Sequence, residues 1–307
     1  MEYVISTSGL TKRYHGYAAV NKVSLHVRKG EIYGFIGRNG AGKTTFMKMI
    51  CGLSAPTEGE MELFGKSGRE LPQIRERVGN LIEIPGLYPG MTAYENLNCK
   101  CIAMGIHRKG YIDEILDIVG LKDVGKKKVK NFSLGMRQRL GIGMAMAGEP
   151  DLLILDEPIN GLDPQGIVEV REMIKRLNRE KNMTIMVSSH ILEELYRIAD
   201  TFGIIDKGCL VQEVSKEELG KKCSDYIKIG TKIAEQVCTV LSEMGISDYK
   251  VIDSSTVYVY ERLDMVADIN TMLCSRGCVI ESIHVVKENL ENYFLSITGG
   301  GKFETKR

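Results

Sequence analysis

Residues Gly37 to Thr45 read Gly-Arg-Asn-Gly-Ala-Gly-Lys-Thr-Thr and follow directly on the apolar run Ile32, Tyr33, Gly34, Phe35, Ile36. A buried strand that breaks into a glycine-rich loop and then into a helix leaves few folds open to a chain. Gly37, Gly40 and Gly42 let the backbone take turn conformations closed to other residues, and their N–H groups then face inward toward an anion. Arg38, Asn39 and Ala41 complete the loop. The helix expected from Lys43 adds the positive end of its dipole to the same spot. The spacing from Gly37 to Thr44 is that of a phosphate-binding loop, in which Lys43 reaches the β and γ phosphates of a nucleoside triphosphate. Thr44 then ligates Mg²⁺, and Thr45 hydrogen-bonds a phosphate oxygen. A glycine-rich turn with a chance lysine explains neither the strand before the loop nor the apolar residues Phe46, Met47, Met49 and Ile50 after it.

A second segment adds the means of hydrolysis. Leu152, Leu153, Ile154 and Leu155 form an apolar run that ends in Asp156 and Glu157. A parallel strand buried on both faces reads this way, and ligands bind outside the carboxyl ends of such strands. Asp156 is placed to hold Mg²⁺ through water, and Glu157 to polarise the attacking water. Adjacent carboxylates commonly mark only the start of a solvated loop. That reading leaves the four apolar residues before them without a reason.

Three further segments narrow the reading. Asn131 to Arg139, with Phe132, Ser133, Leu134, Gly135 and Met136 at its centre, resembles the signature segment of ABC-transporter ATPases. Asn160, Gly161, Leu162, Asp163 and Pro164 resemble the D-loop of that family, and His190 in Ser188 to Leu192 resembles its switch histidine. Tyr14, upstream of the loop, stands where the family stacks an aromatic ring on adenine. The resemblance covers residues 1 to about 215 and implies a nucleotide sandwich between two subunits. In it, Ser133 and Gly135 of one subunit, with Asp163 nearby, face the nucleotide held by Lys43 and Thr44 of the other.

Plainer roles stand beside these. Ser133 is also a good N-cap for the helix expected around Gly135, and the two roles are compatible. A lone histidine after a β-run is by itself more often structural. Tyr17 lies close enough in sequence to compete with Tyr14 for the adenine. Two departures from the family pattern are informative. Leu134 and Met136 replace a glycine and a glutamine of the usual signature, and Glu83 stands where most members carry the glutamine of the Q-loop. A carboxylate there still suits Mg²⁺ or the ordering of water, so Glu83 joins Thr44 and Asp156 as an expected metal ligand and Glu157 and His190 as an expected catalytic residue. The Glu83 variant, the Phe-Ser-Leu-Gly-Met signature and the ending Leu290 to Gly299 resemble the ATPase subunits of bacitracin and lantibiotic exporters.

Composition sets outer bounds. Among 307 residues, 41 are basic and 40 acidic, so no global field favours nucleic acid. The eight cysteines show no zinc-site spacing and read as thiols of a cytosolic protein. No apolar run approaches the length of a membrane helix and the N-terminus lacks a signal-peptide pattern. The chain is therefore expected to be cytoplasmic, peripheral to the inner face of the membrane through an integral-membrane permease of another polypeptide.

The fold class expected is α/β, a P-loop NTPase with an antiparallel β edge and a helical subdomain, followed by a small α+β ferredoxin-like domain. The ATPase domain is placed at residues 1–220, with its helical part at about 91–147. Thr92 with Glu95 marks a capping box there, and Ile112, Ile115, Leu116 and Val119 line one apolar face ended by Gly120. The appended domain, 221–298, reads as β, α, β, β, α, β, and 299–307 as a frayed tail. It carries no clustered ligand set, and its position suggests dimer support or regulation. The function expected is the ATP- and Mg²⁺-dependent ATPase subunit of an exporter, working as a homodimer or with a second ATPase subunit. The rival is an ABC ATPase acting on ribosomes or DNA, which in this resemblance would bring a second fused cassette or a long coiled-coil insertion.

Overall fold

The computed structural model describes residues 2–223, 225–287 and 290–298, so the tail expected at 299–307 lies outside the described residues. The chain divides into two compact units between Lys216 and Glu217.

The first unit is built on a six-stranded sheet in the order Cys209–Ser215, Thr201–Asp206, Ile32–Ile36, Thr184–Ser189, Leu152–Leu155, Val78–Leu81. Every neighbouring pair is parallel except the first, which is an antiparallel hairpin. The two apolar runs read from the sequence, Ile32–Ile36 and Leu152–Leu155, are buried along their whole length, as strands covered on both faces must be. Parallel strands end on one edge. Gly37, Ile82, Asp156 and His190 each follow the last residue of such a strand, so topology alone gathers their segments at one rim.

An antiparallel sheet lies on the N-terminal side of the sequence, in the order Tyr17–Val23, Tyr3–Tyr14, Glu58–Leu63, Lys66–Ser67, with His26–Arg28 also paired to Tyr3–Tyr14. One apolar core joins it to the central sheet. Val4, Leu10 and Leu63 meet Phe35, Ile154 and Met186 through Phe46, Met47, Met49 and Ile50 of the helix Lys43–Ile50. Each such side chain, fully buried, contributes about 1.5–3 kcal/mol, which fixes the helix whose first turn follows the glycine loop.

Between residues 91 and 147 the chain is largely helical: Ala93–Ala103, Tyr111–Ile118 and Leu134–Met146. The capping box is present. Thr92 Oγ1 accepts from Glu95 N, and Glu95 accepts from Thr92 N, which holds the Glu95 carboxyl below its ordinary range. Ile115, Leu116 and Val119 are buried as expected, whereas Ile112 is half-buried at the edge of that face.

The second unit follows the order expected for it. Tyr226–Thr231, Ala234–Glu243, Tyr249–Asp253, Thr256–Val259, Val266–Ser275 and Ile280–Val286 form a four-stranded antiparallel sheet with two helices. Sheet order places Tyr226–Thr231 between Thr256–Val259 and Ile280–Val286, so two β–α–β halves interleave. Ile227 and Ile229 alternate inward to Val237, Leu241, Ile269 and Leu273, the period-two pattern of a sheet with one helix-covered face. A helix, Leu290–Ile297, closes the described chain.

Candidate functional site

The glycine loop is tight for a reason visible in its surroundings. Gly42 has φ of 106°, and a β-carbon on it would stand 2.4 Å from Ala19 O; one on Gly37 would stand 2.5 Å from Ile205 O. Neither position admits a side chain. Lys43, only 5 % exposed, folds back into this loop and donates to Gly37 O at 2.6 Å and to Arg38 O at 3.3 Å.

Thr44 and the end of Leu152–Leu155 meet next to it. Thr44 Oγ1 donates to Asp156 Oδ2 at 2.7 Å, which puts a hydroxyl and a carboxylate side by side. Two hard oxygen donors at that separation are a fit for Mg²⁺. The other carboxylate oxygen, Oδ1, accepts from Ser188 Oγ at 2.6 Å, and the same hydroxyl accepts from Glu157 N at 2.9 Å. Ser188 is wholly buried. It therefore ties together both acidic residues and the strand Thr184–Ser189.

Glu157 is held on two sides. His190 Nδ1 lies 2.8 Å from Oε2; with the carboxylate ionised, the nitrogen carries the proton and donates. Lys43 Nζ stands 3.1 Å from Oε1. That buried oxygen has no aligned hydrogen-bond donor, so the Lys43 contact is an ion pair without a directed bond, and Oε1 keeps acceptor capacity facing the phosphate loop. The backbone at Glu157 takes φ of 49°, a left-handed conformation that non-glycine residues adopt at a cost and that concentrates at functional sites.

Glu83 borders the same groove without joining this cluster. A cavity of about 660 Å³ is lined by Thr44, Glu83, Leu134, Asp156, Glu157 and Asn160, among others. Glu83 also has a left-handed backbone, φ 60°, and its Oε1 receives Lys48 Nζ at 2.7 Å. The remaining expected residues are engaged locally. Ser133 caps the helix Leu134–Met146 by accepting from Met136 N at 3.2 Å, and the helix begins one residue before the position expected for it. Gly135 lies close to Leu162, and Leu134 closes on Gly161. Asp163 caps Pro164–Lys181 by accepting from Gly166 N at 3.2 Å. Tyr14 is 45 % exposed with its hydroxyl 3.4 Å from Ser54 Oγ, and Tyr17 is 61 % exposed beside it in the hairpin.

Three residues that matter here carry no motif of their own. Ser188 is one; its signal was a serine at the end of a buried strand. Lys48 is the second, one helical turn beyond Thr44. Arg75 is the third: its Nε donates to Ile50 O at 3.0 Å and its guanidinium reaches Met49 O, so it satisfies the last carbonyls of the helix that carries Lys43. Burial lowers the Arg75 pKa and pushes the neighbouring Cys51 thiol up to about 12, and Cys51 packs against the apolar core.

Comparisons with known proteins identify the family. The model of the ABC transporter family matches residues 20–160. The chain is 45% identical over 302 residues, 98% of each protein, to the uncharacterized ABC transporter ATP-binding protein YcbN of Bacillus subtilis. It is 42% identical to the bacitracin transport ATP-binding protein BcrA of Bacillus licheniformis, over 98% of this chain and 99% of that one. Among solved structures it resembles an ATP-binding cassette in a dimeric post-hydrolysis state with ADP and Pi, at 25% identity and a TM-score of 0.62, covering 69% of this chain and 98% of the other. Membership of the alternative class, acting on ribosomes or DNA, is not favoured. The chain belongs to the ATP-binding, ATP-hydrolysing subunits of ABC transporters.

Proposed function

We propose that this chain powers a separate integral-membrane permease that exports peptide antibiotics, working at the inner face of the membrane as a nucleotide-sandwich dimer. The observation that carries the hydrolytic part is the placement of Glu157, poised between Lys43 and His190 at the tip of the phosphate loop. Lys43 binds the β and γ phosphates, the loop amides from Gly37 to Thr45 cradle them, and Glu157 accepts the proton of the attacking water. His190 holds Glu157 in place. Thr44, Asp156 and, at the rim, Glu83 would hold Mg²⁺, which when bound would neutralise charge on the phosphates. Ser133 and Gly135, with Asp163 beside them, meet the nucleotide of the opposite subunit, and Tyr14 stacks on its own adenine. A homodimer and a pair with a second ATPase subunit both meet this geometry.

Support for the cargo class comes from the relative whose printed role is bacitracin transport, which matches this chain across both of its units. Support for a permease contact comes from a second cavity of about 400 Å³ beside the Glu83 loop, lined by Pro85, Tyr88, Cys99, Met104, Met144 and Pro150. Glu76, Asn80 and Lys100 join these residues, and this mixed polar and apolar lining between the helical segment and the sheet edge suits an inserted amphipathic helix of a partner. The test is tolerance to bacitracin and to lantibiotics in cells that carry this chain with its permease. Tolerance should rise with the parent pair and fall to the level of empty cells when Glu157→Gln replaces the parent. A pair that hydrolyses ATP yet confers tolerance to no peptide antibiotic would overturn the export reading.

A further inference from the structure

Glu83 and Lys48 form an arrangement that no motif of the chain requires. Lys48 lies four residues after Thr44 in the helix Lys43–Ile50, hence on the same face and one turn further from the phosphates. Its ammonium meets Glu83 Oε1 at 2.7 Å. The carboxylate is 60 % exposed and the lysine 34 %, and Glu83 holds φ of 60° while doing so. Open water all around would not by itself keep a non-glycine residue in that conformation. Thr44, Asp156 and Glu83 line one groove, so the pair sits at the mouth of the expected metal site.

We propose that Lys48 is a positioning residue for Glu83: its ammonium holds the loop Ile82–Leu87 against the phosphate-loop helix before nucleotide and metal arrive, and yields the carboxylate to them afterwards. The holding step stands on the ion pair alone. The yielding step rests on the metal role proposed above for Glu83. A glutamine at 83 keeps an amide oxygen for a metal but has no charge for Lys48, so in this chain the carboxylate serves a purpose beyond coordination.

The experiment is amide hydrogen exchange on the full-length protein without nucleotide, in the parent, Lys48→Gln, Glu83→Gln and the double variant. Each single change should speed exchange of the amides in Ile82–Leu87 by about threefold, the scale of a surface ion pair, and the double variant should add nothing further. The charge reversal Lys48→Glu with Glu83→Lys should restore parent protection. Exchange at parent rate in Lys48→Gln, or additive effects in the double variant, overturns the proposal. The Mg²⁺ midpoint of ATP-dependent dimer formation then reads the yielding step: Lys48→Gln should lower it in the parent background and leave it unchanged in the Glu83→Gln background. An equal shift in both backgrounds is a plain charge effect and overturns that step. Failure of the metal role reads differently, as a Mg²⁺ midpoint that Glu83→Ala leaves at the parent value.

Discussion

At the strand tips, Lys43, Thr44, Asp156, Glu157, Ser188 and His190 already hold one another. Around the rim, Glu83, Ser133, Asp163 and Tyr14 are engaged elsewhere, with Lys48, Met136 N, Gly166 N and Ser54. The difference is one of ownership. The inner cluster is complete within one chain because its partners sit on adjacent parallel strands and on the helix behind the loop. Among the rim residues, Ser133 and Asp163 cap their own helices, whereas Glu83 and Tyr14 pair with the distant Lys48 and Ser54; their roles toward nucleotide, metal and a second subunit are those proposed above. Preorganisation is worth most where charge develops during the reaction, and the buried hydrogen bonds from Lys43 to Gly37 O and from Ser188 to Asp156 lie at these strand tips.

The largest effect should come from inside the cluster. Glu157→Gln keeps the shape and the Ser188 bond to its backbone but removes the proton acceptor, so turnover should fall by about 10²–10⁴-fold with nucleotide binding retained. Size-exclusion in Mg-ATP should show a trapped dimer. Turnover at the parent rate would remove Glu157 from the catalytic role. Lys43→Ala acts earlier, on the ground state, and the loss of a charged hydrogen bond of about 1.5–3 kcal/mol should weaken ATP affinity, measured by calorimetry, by roughly 10- to 150-fold. An unchanged affinity would break the comparison, since Lys43 would then make no phosphate contact in the ground state.

Ser188→Ala tests whether the inner cluster is one unit. The change leaves Glu157 N without its acceptor in a partly buried setting and Asp156 Oδ1 without its donor in a buried one. An unsatisfied buried group costs about 1–3 kcal/mol, so the thermal midpoint should fall and turnover should drop about tenfold through misplaced carboxylates. Normal turnover with a lowered midpoint would make Ser188 a purely structural tie.

Legibility in the sequence follows the same division. Lys43, Thr44, Asp156 and Glu157 stand in contiguous runs that announce both the element and its chemistry, and a parallel sheet then has little choice but to bring those runs to one edge. The order of elements from Tyr226 to Val286 was equally plain, because alternation along a strand such as Ile227 and Ile229 is local. Lys48, Ser188 and Arg75 were not legible as partners. Their meaning depends on where a distant segment comes to rest: Glu83 for Lys48, Asp156 for Ser188, and the carbonyls of Met49 and Ile50 for Arg75. The left-handed backbone at Glu83 and Glu157 is likewise a tertiary outcome, since neither residue type favours it.

Glu83 tests the boundary between the two regions. An amide oxygen still coordinates a hard cation, so Glu83→Gln should keep ATPase activity within about tenfold, near 1.4 kcal/mol of barrier. Glu83→Ala should lose more, and should also lose tolerance to peptide antibiotics in cells with the permease, because in the proposed role the loop between the metal site and the cavity lined by Pro85 and Tyr88 would no longer sense the site. Parent behaviour of Glu83→Ala in both assays would make Glu83 an ordinary loop residue.

The smallest effect belongs to Tyr14, the rim residue with the least support around it. Its ring is exposed on a hairpin with Tyr17 and carries Lys12 Nζ 5.1 Å from its centroid, so stacking on adenine competes with nothing buried. A stacked ring contributes about 0.5–1.5 kcal/mol beyond its area, and Tyr14→Ala should weaken ATP affinity by roughly threefold to tenfold while leaving turnover of bound nucleotide at the parent rate. Tyr14→Phe should restore the affinity, since the hydroxyl bond to Ser54 is long and exposed. If Tyr17→Ala shows the loss instead and Tyr14→Ala does not, the adenine sits on the other side of the hairpin turn, and the rim must be redrawn there while the inner cluster stands.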